Sequence, residues 1–295
     1  MSKGILYMII AGMAFIVVNF FVKLLGAQTP HPWFGSLQHY PAHELILARS
    51  VVSFVISYYI IKKRGLTLLG NNKKWLLIRG GAGMIALTLF FYTILHLPLV
   101  VASILQYLSP IFTVIFALIL LKERIKILQW FFIAMAFSGV VVIGYDKLIN
   151  PELGEQIALF QIGLAILSAA FSGIAYVAII KLKSTDTPIN IVIYFPMISI
   201  PVMVFLCLFE FTMPNGIEWL ILLIIGIFTQ IAQVMMTKAF HEGPTAVVAP
   251  FQYLGAIYAF LIGLFIFDEK LSFVVYIGTG LILIGVVFNS LLRKH

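Results

Sequence analysis

Long apolar runs separated by short polar segments make up most of this chain. At a rise of about 1.5 Å per residue, about 20 apolar residues cross a hydrocarbon core of roughly 30 Å. Ten runs come close to this length and predict ten transmembrane helices. Their approximate spans are 4–25, 44–62, 76–96, 98–121, 127–145, 157–180, 189–210, 217–239, 245–267 and 271–292. The connections are too short to hold an independent catalytic domain.

The composition agrees with a membrane protein. Hydrophobic residues make up 62% of the chain and charged residues 10%, against roughly 45–50% and 25% in soluble domains. We therefore expect an all-α integral membrane protein whose surroundings are a lipid bilayer.

The net charge of +8 is unevenly distributed among the loops. If the N-terminus is cytoplasmic, 15 of the 19 basic residues fall on the inner side, most densely between Lys62 and Arg79. The positive-inside rule then places both termini in the cytoplasm of a multi-pass cell-membrane protein. This basicity reports orientation and gives no reason to expect a nucleic-acid partner.

The chain also contains an internal repeat. Gln106-Tyr107-Leu108 followed by Glu123 recurs 146 residues later as Gln252-Tyr253-Leu254 followed by Glu269. The offset predicts two five-helix halves, 1–145 and 146–295, within one membrane domain. Because each half crosses the membrane an odd number of times, the repeats are inverted, an arrangement typical of carriers that work by alternating access. A duplicated scaffold or membrane enzyme stays an alternative.

Several segments carry a family resemblance. They are Ala102–Pro110, Leu121–Arg124 and Gly139–Val140 in the first half, Lys238–Phe240, Val248–Tyr253 and Phe267–Leu271 in the second, and Glu44–Ser50 in the second predicted helix. Together they resemble the EamA type of the drug/metabolite transporter superfamily. The resemblance implies a carrier with no enzymatic activity, and leaves amino acids, nucleobases, sugars and organic acids open as substrates.

Two basic residues are candidates for substrate binding. Arg49 lies inside the second predicted helix, where an arginine costs roughly 2.5–3.5 kcal/mol on insertion scales. It either faces a cavity and attracts an anion or snorkels to the interface. Lys238 lies at the inner end of the eighth predicted helix, where an interfacial anchor is the favoured interpretation and a cavity cation the alternative.

Polar residues deep in apolar runs need partners. The paired Gln106-Tyr107 and Gln252-Tyr253 predict either a central substrate site or hydrogen bonds that join the two halves. Three more candidates for the substrate site are Asn19, Tyr92 and Gln233. Gln230, three residues before Gln233, is expected to share its helix face.

Four residues are candidates for gating or structural roles. Glu123 and Glu269 lie at corresponding helix ends, where each carboxylate can accept hydrogen bonds from a helix N-terminus or close a gate. Pro110 and Pro250 interrupt predicted helices and act either as hinges or as static bends.

Reactive groups are scarce. No Asp or Glu lies near the middle of a predicted span, which favours facilitated diffusion or exchange over coupling through an intramembrane carboxylate. We expect no cofactor, metal site or enzyme activity. The predicted function is a carrier, with a weak lean to organic anions, in a monomer or homodimer. Neutral or zwitterionic solutes such as amino acids or nucleobases are the second choice, and a channel or membrane enzyme is the alternative of another class.

Overall fold

The computed structural model describes residues 3–26, 37–120, 127–149, 159–242, 251–252, 254–269 and 271–292. Within these ranges the regular structure is helical. The helices are α1 Lys3–Gly26, α2 Ala42–Lys63, α3 Lys73–His96, α4 Leu99–Gln106, α5 Ser109–Leu120, α6 Ile127–Ile149, α7 Leu159–Leu182, α8 Pro188–Cys207, α9 Glu218–Glu242, α10 Leu254–Phe265 and α11 Phe273–Leu292.

Within the part of the chain that the structure describes, seven segments are long and apolar enough to cross a membrane, with α4 and α5 counted together as Leu99–Leu120. Shorter apolar stretches occupy Ile127–Ile143 and Phe273–Phe288. The all-helical membrane architecture expected from the sequence is therefore confirmed, whereas the count of ten crossings stays a prediction.

The fourth predicted span consists of two helices. α4 ends at Gln106, Tyr107 and Leu108 form a turn, and α5 begins at Ser109 with Pro110 as its second residue. Proline fits there because the first helical turn makes no use of its missing N–H. In α8, by contrast, the helix continues through both Pro196 and Pro201.

The helices pack in a specific set of pairs. α6 packs against α11, α2 against α8, and α4 against α10. In addition, α3 packs against α7 and α8, while α1 and α2 both pack against α9. Small residues permit the α6–α11 contact, since a Cβ atom on Gly139 would come within 2.5 Å of the Gly278 carbonyl oxygen.

Helix α4 lies at the centre of the largest hydrophobic cluster, and Leu99 to Leu105 are all buried. The main-chain direction of each helix then defines two ends of the bundle. The N-terminal end holds the start of α1 with loops 64–72 and 183–187. The distal end holds segments 37–41, 97–98, 208–217 and 266–269.

Side-chain hydrogen bonds join loops at each end. At the N-terminal end, the Asp186 carboxylate accepts the backbone N–H groups of Asn71 at 2.6 Å and Asn72 at 3.1 Å. At the distal end, Glu218 accepts the Gln38 N–H at 2.7 Å and the Tyr40 hydroxyl at 2.7 Å. These bonds connect the first half of the chain to the second.

Candidate functional site

A cavity lies between helices of both halves. About 1120 Å³ of space not filled by atoms lies within and at the mouth of this cavity, open solvent included. Its lining comes from α1, α2, α3, α4, α5, α7, α8, α9 and α10 and from Gln252 just before α10. In α1 the lining runs from Met8 to Asn19 and in α9 it includes Gln233 and Met236, so the cavity lies toward the N-terminal end.

Arg49 of α2 faces this cavity. Its side chain is 1% exposed, and its Cζ lies 5.5 Å from the centroid of the Phe91 ring and 5.1 Å from that of Phe195. Aromatic faces attract a guanidinium through the ring quadrupole. Within the described part of the chain, the buried Nε and Nη2 of Arg49 have no hydrogen-bond partner. The aromatic pair therefore stabilises the cation but leaves donors free.

A second buried guanidinium, Arg79 of α3, lines the same cavity. It is 3% exposed, and its Nη2 donates a hydrogen bond of 2.8 Å to Oε1 of Gln233. Its Nε has no partner among the described residues. A Cβ on Gly83 would come within 2.4 Å of Arg79 Nη1, so the guanidinium in its present position occupies space that the glycine one turn later leaves open.

By its position in the sequence, Arg79 belongs with the basic loop residues and is not among the residues predicted for the site. Proximity to Lys73 and Lys74 at the start of α3 favoured a solvated position. One signal could have identified it: Gly80, Gly81 and Gly83 follow directly, and such a glycine-rich stretch lets a long side chain lie along the helix.

Among the described residues that line the cavity, no acid compensates the two arginines. The lining, as far as the structure describes it, contains Arg49 and Arg79 but no Asp or Glu. Polar neutral groups include Asn19, Gln106 and Gln252, and the aromatic wall includes Phe15 and Phe90. The site is thus a mixed surface of aromatic rings, amides and two cations.

The side-chain amide of Gln106 forms hydrogen bonds with two serines of α7. Its Nε2 donates to the Ser172 hydroxyl at 2.8 Å, and its Oε1 accepts from the Ser168 hydroxyl at 2.9 Å. Both interpretations of this glutamine therefore have support, because it lines the cavity and also joins α4 to the second half.

The structure brings together six of the residues predicted for substrate binding: Asn19, Arg49, Gln106, Tyr107, Gln233 and Gln252. Two others lie elsewhere. The Tyr92 ring stacks on His96 with centroids 4.1 Å apart, and Lys238 Nζ lies 5.7 Å from the centre of the Tyr7 ring. Tyr253, Glu123 and Pro250 lie outside the described residues.

Gln230 does not share the environment of Gln233. Its amide accepts the Ser53 hydroxyl and donates to the Ser57 hydroxyl at 2.8 Å, both from α2. Gln230 thus contacts α2, which packs against α9, whereas Gln233 lines the cavity.

At the distal end, Glu269 accepts hydrogen bonds from the start of α4. Its carboxylate receives the N–H groups of Leu99 at 2.5 Å and Val100 at 3.1 Å. Burial raises the pKa of the Glu269 carboxyl, while the Leu99 hydrogen bond and the charge of Lys23 oppose that rise. Lys23 itself donates to the Leu97 carbonyl at 2.6 Å. The predicted role of Glu269 at a helix N-terminus thus has a structural counterpart, although the helix is α4 and not the one that follows in sequence.

A known protein family matches almost the whole chain. The model of the EamA-like transporter family matches residues 2–145 and 159–291. The chain belongs to this family. It is a multi-pass membrane transporter, and the predictions of family membership and of no enzymatic activity are confirmed.

Similar proteins align with this transporter over 90% or more of its length. The pseudopaline exporter CntI of Pseudomonas aeruginosa is 29% identical over 100% of this chain and 98% of its own length. The riboflavin transporter of Vibrio cholerae is 25% identical over 97% of this chain and 92% of its own. Solute carrier family 35 member G1 of Mus musculus is 27% identical over 90% and 72%.

A solved crystal structure shares the fold. It aligns over 96% of both chains with a TM-score of 0.63 and 18% sequence identity. At this identity the likeness concerns the architecture alone.

Proposed function

We propose that this transporter is a carrier that moves a small organic anion by alternating access. The observation that supports an anion is the pair of buried guanidiniums of Arg49 and Arg79, together with the lack of acids in the described lining. Buried cations without counter-charges are expensive in a low-dielectric site. A bound carboxylate or phosphate would offset that cost and occupy their free donors.

The helix packing supports two inverted five-helix halves, 1–145 and 146–295. If α1, α2, α3, α4–α5 and α6 correspond to α7, α8, α9, α10 and α11, the α3–α7 contact corresponds to α9–α1. Likewise α2–α9 corresponds to α8–α3, and α6–α11 pairs with itself. The two ranges matched by the family model, 2–145 and 159–291, agree with this division. Such halves are suited to alternating access.

Glu269 is proposed to stabilise closure at the distal end. Together with Lys23 it joins α1, the α3–α4 junction and the α10–α11 connection, and the Phe20 and Phe267 rings lie 5.7 Å apart nearby. Glu123 would act at the other end by the proposed symmetry. Cytoplasmic termini remain the expected orientation from the charge distribution.

A neutral ring-bearing solute is the second candidate. Phe15, Phe90 and Phe91 and the amides of Asn19 and Gln252 would suit such a molecule, and the relative at 25% identity is a riboflavin transporter. This candidate leaves both guanidiniums without a counter-charge, which is why we place it second.

Transport in proteoliposomes tests the carrier function. We expect saturable counterflow of an organic anion, with kcat/KM about 10-fold or more lower in both Arg49→Gln and Arg79→Gln because each loses a charge-assisted hydrogen bond worth about 1.5–3 kcal/mol. Lys63→Gln is the matched control, because Lys63 is an exposed cation at the end of α2. Unimpaired anion transport in both arginine variants would refute the anionic substrate, and ohmic conductance would refute the carrier.

A further inference from the structure

The number and placement of charges in the cavity define the substrate more narrowly. Arg49 and Arg79 together supply two positive charges. Arg79 donates a hydrogen bond to Gln233, a neutral amide. Arg49 lies between the Phe91 and Phe195 rings. Neither neighbour carries a negative charge, so these two side chains bring two positive charges to the described lining without a counter-charge.

Both guanidiniums lie beside one side chain, Phe195 of α8. Arg49 Cζ is 5.1 Å from the ring centroid. On the other helix, the position of a Cβ on Gly83 is 2.4 Å from Arg79 Nη1 and 3.4 Å from Phe195 Cδ2. The two cations, supplied by α2 and α3, therefore line the same cavity near Phe195.

Electrostatics then distinguishes the possible solutes. A neutral solute leaves two buried cations uncompensated, a monoanion leaves one, and a dianion leaves none. Since uncompensated charge becomes more costly as a closing cavity excludes water, the occluded carrier is most stable when the cavity is neutral. Nε and Nη2 of Arg49 and Nε of Arg79 are buried and have no hydrogen-bond partner among the described residues, so each guanidinium keeps donor capacity that an anionic group would use.

We infer that the cavity selects solutes with two negative charges, either a dicarboxylate with one carboxylate at each arginine or a phosphate monoester shared between them. This inference rests on the proposed anion-carrier function and assigns its substrate class. The aromatic wall would contact the uncharged part of the same molecule.

Matched solutes test the charge requirement on the detergent-purified full-length transporter. At each chain length from four to eight carbons, the linear dicarboxylate is compared with its monoamide and with the monocarboxylate, and butyl phosphate is added as the phosphate probe. Isothermal titration and thermal shift measure binding. We expect dicarboxylates of a preferred length, or butyl phosphate, to bind about 10-fold or more tightly than the matched monoanions.

The result also separates the two sources of the dianion. An optimum in dicarboxylate length indicates two separated carboxylates, and tighter binding of butyl phosphate indicates one shared group. Equal affinity for the dicarboxylate and its monoamide would overturn the charge rule while leaving an anion carrier intact. Binding of neutral amides alone would overturn the anion carrier itself.

Variants of the two arginines provide a second, independent test of the preference for dianions. Arg79→Gln leaves one cation, so the preference for dianions over matched monoanions should fall to about twofold or less, since only one charge-assisted interaction then remains. Arg49→Lys keeps the charge and should retain the preference. Retention of the full dianion preference in Arg79→Gln, measured on protein that elutes as a single species on size exclusion, would refute the assignment. If Arg79→Gln does not fold, Arg49→Gln provides the same comparison.

Discussion

At the scale of single residues, the site depends on two cations that the bilayer makes costly. Arg49 is held between two aromatic rings, and Arg79 runs along α3 beside a glycine and meets Gln233. The neighbours restrict where each guanidinium can point. Small changes in those neighbours should therefore alter solute binding without removing a charge.

Gly83 provides such a change. In Gly83→Ala the new methyl group would contact Arg79 Nη1 at 2.4 Å, so the guanidinium must move away from its present position. We expect KM for an anionic solute to rise about 10-fold, because a displaced cation loses a charge-assisted hydrogen bond. Gly81→Ala is the control on the same helix, since nothing lies within 4 Å of its Cβ position. Equal KM values for the two variants would argue against a fixed Arg79.

Gln230 and Gln233 form a natural comparison on α9. Gln230→Ala would leave the Ser53 and Ser57 hydroxyls of α2 without their shared partner. We expect it to lower stability by about 0.6–2 kcal/mol with little change in KM. Gln233→Ala should instead raise KM, because Gln233 lines the cavity and holds Arg79. Thermal unfolding and transport measured on both variants check this division, and an exchange of the two effects would contradict it.

The sequence identified Arg49 but not Arg79, and the reason is physical. Hydropathy marks a charge in the middle of an apolar run as unusual, whereas Arg79 follows Lys73 and Lys74 in the first turns of a helix. Tertiary packing of α7 and α8 against α3, together with the contact to Gln233 of α9, accounts for its burial. Lys238 illustrates the reverse case, since a cation near a helix end needs no cavity and here approaches the Tyr7 ring.

At the scale of elements, α4 connects the distal end to the cavity. Pro98 precedes it and makes no side-chain capping bond, and Glu269 from the second half supplies the acceptor. The same helix ends at Gln106, beside the Tyr107–Leu108 turn. One eight-residue helix therefore runs from the Glu269 carboxylate at the distal end to a residue that lines the cavity.

Glu269→Gln tests this connection. The variant keeps one oxygen acceptor but loses the charge that favours a helix N-terminus, so we expect a loss of about 1–2 kcal/mol in stability. Asp268→Asn is the matched control, because Asp268 is exposed and asparagine tolerates its φ of 48°. Thermal unfolding measures both variants. If Asp268→Asn is as destabilised as Glu269→Gln, the cap is not important.

Most helix positions could be predicted from the sequence, whereas breaks within a helix were harder to predict. Apolar length predicts α1, α2, α3, α7, α8 and α9 within a few residues of their observed bounds. The turn at Tyr107 and Leu108 lies inside a continuous apolar run, so hydropathy gives no sign of it. The partner of Glu269 was also inaccessible, because the start of α4 lies 170 residues away in sequence.

At the scale of the whole molecule, the helix pairs correspond when the two halves are exchanged, which a fold without a repeat would not require. The cavity lies toward the N-terminal end, while Lys23, Glu269 and the Phe20–Phe267 contact occupy the distal end. In the described conformation the cavity thus lies toward one end of the bundle, and the contacts of Lys23, Glu269 and the two phenylalanines lie at the other. Inverted halves would exchange these roles during transport.

Thiol labelling tests that exchange, because Cys207 is the single cysteine of the chain and Cys207→Ser gives a background without thiols. Gly12→Cys would report the cavity, since nothing lies within 4 Å of its Cβ position, and Phe20→Cys would report the distal end. In oriented proteoliposomes, a membrane-impermeant maleimide should reach Gly12→Cys from the N-terminal side only. Met213→Cys, in an exposed distal loop, controls for reagent access to that side.

Transported solute should then change the two labelling rates in opposite directions. Alternating access requires that the distal end open as the N-terminal end closes, so a saturating organic anion should speed labelling of Phe20→Cys from the distal side and slow that of Gly12→Cys. The Met213→Cys rate should stay constant. If the labelling rates of Gly12→Cys and Phe20→Cys rise together, both ends are open at once, as in a channel with a continuous pore. That result would rule out a carrier built from two inverted halves.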